Sequence, residues 1–276
     1  MNRRFFLKFG TSALTLGSTE LLLAMPEPYL DTEIKDHLEL NHKQCKEFSQ
    51  QALNKEPVIA NEKELQLLHA ISIKLKKTQQ YVGYGHFNLL SFDELLFISR
   101  NNPKIGAFSE DELAYIEKVF YTQAADYGFY GKKVTYKLSD KISKNETYKV
   151  PYTGHYLYKD EPLALYERLK REVGPSIILT SGVRSVVKQL DLFLYKASLL
   201  KGNYSLAAHS LAPPGYSFHG VSDFDVGKVG YGYKNFTSAF ARTSEYHDLQ
   251  KLGYINIRYP KNNSFGVRFE PWHIKV

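Results

Sequence analysis

The chain has 276 residues, of which 43% are hydrophobic and 24% are charged, a composition that is typical of folded globular proteins and excludes a disordered chain. Its formal net charge is +7, but Lys and Arg are interleaved with acidic residues, which disfavours a nucleic-acid groove. The single cysteine, Cys45, excludes an internal disulfide, so the fold must depend on its apolar core and on any bound metal.

The N-terminus has the features of an export signal. Residues 2–8 read NRRFFLK, and a mildly apolar run continues to about residue 24. The arginine pair followed by aromatic residues and leucine resembles a twin-arginine signal, whereas the run is too short and too polar for a transmembrane helix. We therefore predict that residues 1–24 direct export to the periplasm or cell envelope, as a cleaved signal or as an uncleaved membrane anchor.

The next part of the chain, residues 31–130, is predicted to be helical. Between residues 62 and 77, Leu and Ile recur at helical spacing with Lys on the opposite face. Ser91 and Ser109 each open a Ser-x-x-Glu capping box in front of an apolar-periodic segment. The helical pattern ends at Gly128 and the polar residues that follow it, which are typical of a loop.

Helices and strands alternate in the remainder of the chain. The predicted elements are helix 161–173, strand 177–180, a helix from Ser185, strand 223–226, helix 236–252, strands 254–259 and 265–270, and a final short strand. This pattern predicts an α+β fold, in which the helical N-terminal region precedes a domain at residues 147–276 with a small mixed or antiparallel sheet.

Two segments near the C-terminus contain residue types suited to a metal site. Residues 214–227 read PGYSFHGVSDFDVG, and residues 269–276 read FEPWHIKV. A catalytic zinc site uses three His, Asp or Glu ligands and keeps one position for water, and a separate carboxylate takes the proton of that water. The candidate ligands are His219, Asp225 and His273, and the candidate base is Glu270.

The spacing of these residues leaves alternatives open. Asp223 and Asp225 share one face of a predicted strand, so Asp223 is the rival third ligand. Pro271 favours an extended Glu270, and a local bend is therefore needed before Glu270 and His273 can face one ion. Judged by spacing alone, ordinary core or surface histidines are favoured over a metal site.

The same segments resemble the VanY-type zinc D-Ala-D-Ala carboxypeptidases, a family whose fold is shared with the Hedgehog signalling domain. The family motifs are Ser-x-His followed by Asp, and a later Glu-x-Trp-His, which correspond here to residues 217–219, Asp225 and residues 270–273. Residues 181–185, SGVRS, followed by Gln189, resemble the Ser-Gly-Tyr-Arg-Ser segment of the family.

The likeness extends over about residues 147–276, in the family's order. One departure is that five residues separate His219 from Asp225, where the family usually has six. The region 31–130 is not covered by the likeness.

The resemblance implies a role for each candidate residue. Zinc is bound by His219, Asp225 and His273, with Glu270 as the base. Arg184 is implied to bind the substrate and to stabilise the oxyanion. Ser217, Gln189 and Trp272 are further candidates for substrate contact, although Ser217 also suits a turn and Trp272 also suits core packing.

The sequence thus predicts an exported zinc-dependent D-alanyl-D-alanine carboxypeptidase that acts on peptidoglycan stem peptides. An L,D-carboxypeptidase or a peptidoglycan endopeptidase would use the same zinc site. A non-catalytic cell-wall-binding domain is the alternative outside enzymes, motivated by the shortened spacing between His219 and Asp225. Glu270 argues against a pure binding domain, because such a domain needs no base.

Overall fold

The computed structural model describes residues 56–276, so the predicted leader at residues 1–24 and Cys45 lie outside the described residues. The helices in this part are α1 (Glu62–Val82), α2 (Tyr84–Phe87), α3 (Phe92–Asn101), α4 (Glu110–Tyr121), α5 (Glu161–Glu172), α6 (Val186–Leu199), α7 (Tyr204–Ala208) and α8 (Ser244–Lys251). The strands are β1 (Thr147–Lys149), β2 (Tyr156–Tyr158), β3 (Ile177–Ser181), β4 (Phe224–Lys228), β5 (Asn256–Tyr259) and β6 (Glu270–Lys275). The α+β class is confirmed, and none of the described helices is long and apolar enough to cross a membrane.

The first helices begin where side chains cap them. Ser91 accepts a hydrogen bond from the backbone N–H of Glu94, whose side chain accepts one from the N–H of Ser91. Ser109 and Glu112 form the same reciprocal pair at the start of α4. Both predicted capping boxes are therefore confirmed, and each such cap stabilises a helix by about 1 kcal/mol.

Helix α6 joins the helical segment to the rest of the molecule. It is buried on nearly all sides, and its buried residues include the polar side chains Lys188, Gln189, Asp191 and Lys196 as well as apolar ones. Leu68 and Ile71 of α1 lie in the same apolar cluster as Val187, Leu190 and Leu194 of α6. This cluster holds the start of α6 in place, while the division of the chain into domains at residue 147 stays a prediction.

The four-stranded sheet positions the candidate site. Its four strands are antiparallel and lie in the order β3-β4-β6-β5. Asp225 on β4 lies directly opposite His273 on β6. A register shift in β3 between Leu179 and Ser181 places Ser181 opposite Asp225 from the other side. The two central strands therefore bring two distant parts of the sequence to one place.

Strand β6 contains the bend that Glu270 and His273 require. Ile257 pairs with Ile274, and Tyr259 pairs with Glu270, so β6 advances four residues while β5 advances two. Extra residues on one strand of an antiparallel pair bend that strand and redirect its side chains. As a result, Glu270 and His273 approach each other, although strict alternation would place them on opposite faces.

The strand predicted at 265–270 does not form, and that prediction was wrong. Asn263 accepts a hydrogen bond from the N–H of Phe265 and donates to the carbonyls of Pro260 and Val267. Gly266 has a positive φ of 73°. These local bonds close a loop and occupy backbone groups that a strand would pair, so β6 begins only at Glu270.

The helix predicted at 236–252 is also shorter than expected. The structure has two 3-10 turns, Gly232–Phe236 and Ser238–Arg242, followed by α8. Thr237 and Thr243 interrupt the segment, because each is extended and its hydroxyl accepts a backbone hydrogen bond as an N-cap. The segment therefore restarts twice instead of continuing as one helix.

Gly182 allows two backbone segments to meet beside the candidate site. A Cβ atom at this position would lie 2.0 Å from the carbonyl oxygen of Tyr156. That carbonyl accepts a hydrogen bond from Val183, and the carbonyl of Gly182 accepts one from His219. Any side chain here must displace the backbone of Tyr156.

We expect Gly182→Ala to lower the free energy of unfolding by roughly 3 kcal/mol, because the clash is with backbone and cannot be relieved by a rotamer change. Urea denaturation followed by circular dichroism measures this. Gly220→Ala is the matched control, since its added Cβ would meet nothing closer than 3.5 Å. A loss of stability of the same size in both variants would show that the close approach is not the cause.

Candidate metal centre

Three predicted ligands converge in the structure. His219 comes from the 3-10 turn Phe218–Gly220, Asp225 from β4 and His273 from β6, and all three are buried. One potential ligand atom from each lies within 4.8 Å of the others. Nε2 of His219 lies 3.3 Å from Oδ2 of Asp225, and Nδ1 of His273 lies 3.5 Å from Oδ1 of Asp225. This donor set is suited to a metal ion.

The remaining nitrogen of each imidazole is held by a second contact. Nδ1 of His219 donates to the carbonyl of Gly182 at 2.9 Å, which directs Nε2 towards the centre. Nε2 of His273 lies 3.0 Å from Oδ2 of Asp223, which directs Nδ1 towards the same centre. Outer partners of this kind set the tautomer and the ring orientation of metal-binding histidines.

The structure places Asp225 at the centre and Asp223 behind it. Asp223 receives two hydrogen bonds from Arg258, at 2.6 and 2.7 Å, and a third from the backbone N–H of Val276. Burial opposes ionisation, but His273 and Arg258 hold the pKa of Asp223 well below its usual range. The carboxylate of Asp223 is therefore committed to orienting His273, and Asp225 occupies the inner position.

The pKa values of the two histidines shift in opposite directions. Burial lowers the pKa of His219, and the nearby Arg184 lowers it further. Burial also acts to lower the pKa of His273, but the charge of Asp225 and the hydrogen bond to Asp223 raise it to about 9. The pKa of Asp225 lies well below its usual range, because His219, His273 and Arg184 outweigh the effect of burial.

Two buried polar atoms point to an ion between these side chains. Within residues 56–276, Nε2 of His219 and Oδ1 of Asp225 have no hydrogen-bond partner. A buried acceptor left without a partner typically costs about 1–3 kcal/mol. A cation placed between the three donors would satisfy both atoms, so the residues present fit a metal.

Glu270 lies beside the three donors and outside their group. Its Oε2 is 3.4 Å from Nδ1 of His273, and its Oε1 is 3.6 Å from Nε of Arg268. The side chain is buried. This is the placement expected of a base that neighbours the metal without binding it, and the catalytic role of Glu270 stays a prediction.

Arg184 borders the centre on the side of β3. Its Nη2 donates to Oδ2 of Asp225 at 3.0 Å, and its Nε donates to the hydroxyl of Ser181 at 2.8 Å. Its backbone N–H donates to the carbonyl of His219. The next residue, Ser185, is the N-cap of α6, so the backbone on this side of Arg184 is also held in place.

A small pocket of about 30 Å³ opens on this centre. Its lining includes all the predicted site residues, namely Arg184, Gln189, Ser217, His219, Asp225, Glu270, Trp272 and His273. Gln189 donates through Nε2 to the carbonyl of Ala212, while its Oε1 has no hydrogen-bond partner among the described residues. Trp272 is 3% exposed and packs edge-on against Phe236, so most of its ring belongs to the apolar core.

Sequence reasoning missed two arginines around the centre. Arg258 holds Asp223, and Arg268 lines the pocket next to Glu270. The only signal for Arg268 was its spacing, since residues two apart in extended chain share a face. Arg258 belongs to a stretch that resembles the family, but the sequence indicated no role for it, because its contact with Asp223 joins residues 35 positions apart.

The two aspartates can be distinguished by zinc affinity. We expect Asp225→Asn to abolish stoichiometric zinc binding, because it removes the only anionic donor of the group. We expect Asp223→Asn to keep one ion per chain but to weaken affinity roughly 10- to 100-fold, since only the orientation of His273 is lost. Titration against a chromogenic chelator measures both, and the reverse ranking would identify Asp223 as the ligand.

Comparison with known proteins agrees with the resemblance noted in the sequence. The model of the VanY family, described as D-alanyl-D-alanine carboxypeptidase, matches residues 160–276. No curated protein matches the chain significantly. The matched residues include the 3-10 turn Phe218–Gly220, β4 and β6, and therefore all three donors of the candidate centre.

Several solved structures are similar over about half of the chain. The LdcB LD-carboxypeptidase is 26% identical over 51% of this chain, with a TM-score of 0.37, and this chain spans 64% of its length. A mutant of the D,D-pentapeptidase VanY in complex with Zn(II) is 22% identical over 47% of this chain and 77% of its own, with a TM-score of 0.36. VanYB in complex with D-Alanine-D-Alanine is 24% identical over 47% of this chain and 76% of its own, with a TM-score of 0.36. Because these scores are low, the assignment depends on the sequence match, which confirms the resemblance to the VanY family for residues 160–276.

Proposed function

We propose that this protein is a zinc-dependent D-alanyl-D-alanine carboxypeptidase that removes the terminal D-Ala of peptidoglycan stem peptides. The observation that carries the proposal is the convergence of the buried donors of His219, Asp225 and His273, with Glu270 beside them. The VanY family match over residues 160–276 supports the choice of substrate.

Zinc is the metal that suits this donor set best. Two imidazole nitrogens and one carboxylate oxygen are typical of catalytic zinc sites, which keep a fourth position open. Magnesium and calcium prefer sites made of oxygen ligands. Zinc bound here would lower the pKa of a coordinated water and polarise the scissile carbonyl.

Glu270 has the position required to move the proton. Its carboxylate lies 3.4 Å from Nδ1 of His273, beside the three donors that would hold the zinc, so it would be the acid-base group next to a water that the metal activates. We assign it the removal of the proton from the attacking water and the delivery of that proton to the leaving nitrogen of D-Ala. A carboxylate that is buried and outside the ligand set can perform both transfers in sequence.

Arg184 and Gln189 bind the substrate in this proposal. The guanidinium of Arg184 borders the three donors, so it can stabilise the negative charge that develops on the carbonyl oxygen during attack. Gln189 lines the pocket, and its Oε1, which has no hydrogen-bond partner among the described residues, is free to accept a hydrogen bond from a peptide N–H. Ser217, also in the lining, adds a hydroxyl near the donors.

Export follows from the proposed substrate. Peptidoglycan lies outside the cytoplasmic membrane, and the arginine pair at residues 3–4 with the apolar run behind it supports transport by a twin-arginine signal. The periplasm or cell envelope is therefore the proposed location.

Glu270→Ala separates metal binding from chemistry. We expect the variant to hold one zinc per chain, because Glu270 is outside the ligand group, and to release D-Ala roughly 10²- to 10⁴-fold more slowly. Metal analysis and an assay of free D-Ala measure the two properties. Glu172→Gln, a surface acid paired with Arg168, is the control and should keep wild-type activity.

Loss of zinc together with activity in Glu270→Ala would show that Glu270 is a ligand and not the base. Binding of wall fragments without turnover in the wild type would instead favour the non-catalytic binding domain.

The bond that is cleaved can be identified from products. With a muropeptide ending in D-Ala-D-Ala, we expect release of free D-Ala, its loss after chelation, and its recovery on addition of zinc. Mass spectrometry of the products separates the alternatives. Shortening of a tetrapeptide stem would indicate an L,D-carboxypeptidase, and cleavage of cross-linked dimers would indicate an endopeptidase.

A further inference from the structure

Arg268 is a buried cation in the pocket wall for which the proposed reaction has no role so far. It lies in the loop just before β6 and is 6% exposed. Its backbone N–H donates to the carbonyl of His209 at 2.9 Å, and its guanidinium lies 5.1 Å from the centroid of the Trp272 ring. Both its backbone and its side chain are therefore fixed.

Burying the charge of Arg268 carries a large desolvation free energy. Removing a guanidinium from water is costly unless an anion compensates it. Glu270 contacts the guanidinium at 3.6 Å and Asp225 adds a more distant negative charge, but both carboxylates also face His273, at 3.4 and 3.5 Å. Desolvation lowers the pKa of Arg268 despite these neighbours. A second anion in the pocket would improve the balance of charge.

The contacts between His273, Glu270 and Arg268 indicate where such an anion would lie. Glu270 contacts His273 of the donor group with one oxygen and Arg268 with the other, so the arginine is separated from the donors by one carboxyl group. At the C-terminus of a peptide, the scissile carbonyl carbon of the penultimate residue and the carboxylate carbon of the last residue are three bonds apart. A substrate with its carbonyl at the donors would have its terminus within one residue of them, and Arg268 is a cation of the pocket lining that lies just beyond Glu270.

We propose that Arg268 binds the C-terminal carboxylate of the substrate and so makes the pocket selective for a free peptide terminus. This inference rests on the proposed carboxypeptidase function and adds a specificity-determining residue to it. The other pocket arginine, Arg184, already contacts Asp225 and Ser181. A guanidinium matches the two oxygens of a carboxylate, whereas a chain that continues beyond this point offers a neutral amide.

The test compares a free terminus with a blocked one. The ligands are two ketomethylene isosteres of a D-Ala-D-Ala peptide, which cannot be hydrolysed, one ending in a carboxylate and one in a carboxamide. Binding to the zinc-loaded full chain is followed by the fluorescence of Trp272, the single tryptophan, which lies against Arg268. The variants are Arg268→Gln and Arg268→Lys, with Arg168→Gln on the surface of α5 as the matched control.

We expect the wild type and Arg168→Gln to prefer the carboxylate ligand on the order of tenfold or more. Arg268→Gln should lose this preference through weaker binding of the carboxylate ligand alone, and Arg268→Lys should keep part of it. Zinc content, measured in each protein, shows that the centre is intact. With the peptide substrate, the expected change is in KM and not in kcat.

Three results would overturn the role of Arg268: no preference in the wild type, an unchanged preference in Arg268→Gln, or equal weakening of both ligands. The last result would indicate that Arg268 acts only on Glu270 or on folding. Failure of the proposed function is a separate outcome. Zinc-loaded protein that binds the carboxylate isostere in an Arg268-dependent way but cleaves no stem peptide would retain the inference and refute the hydrolase.

Discussion

The pairing of β4 with β6 is the constraint on which the candidate centre depends. It sets Asp225 opposite His273, which joins two segments that are far apart in the sequence. A slip of one residue would turn Asp225 to the other face of the sheet and remove the only anionic donor. The apolar residues of the same strands, Phe224 and Ile274, are fully buried, and their burial maintains this register.

Buried ion pairs surround the centre in a regular way. Each of three buried acids has its own arginine, with Asp223 paired to Arg258, Asp225 to Arg184 and Glu270 to Arg268. Breaking a buried pair from one side leaves an uncompensated charge, which is strongly destabilising. The arginines orient the three carboxylates, and Arg258 and Arg184 also help to lower the pKa values of Asp223 and Asp225. Rigid groups of this kind lose little freedom on binding, which favours both metal affinity and catalysis.

The helical segment contributes to this rigidity from outside the pocket. Its apolar residues pack on α6, whose capping residue, Ser185, donates its backbone N–H to the carbonyl of Asn88. Arg184 immediately precedes that cap, so the bond between Ser185 and Asn88 helps to fix its backbone, while Ser181 and Asp225 hold its guanidinium. Loop residues that are held by a packed scaffold in this way are typical of functional sites.

The sequence by itself determined the α+β class, the capped starts of α3 and α4, the short strand at Ile177, and the set of side chains that could bind a metal. These features depend on neighbours three or four positions apart, or on residue type alone. Tertiary structure decided which aspartate occupies the inner position, because Asp223 and Asp225 border the two nitrogens of one imidazole from the same strand face. It also decided the place of Arg268, since the backbone N–H of this residue donates to the carbonyl of His209, a contact across the fold that leaves no periodic trace in the sequence.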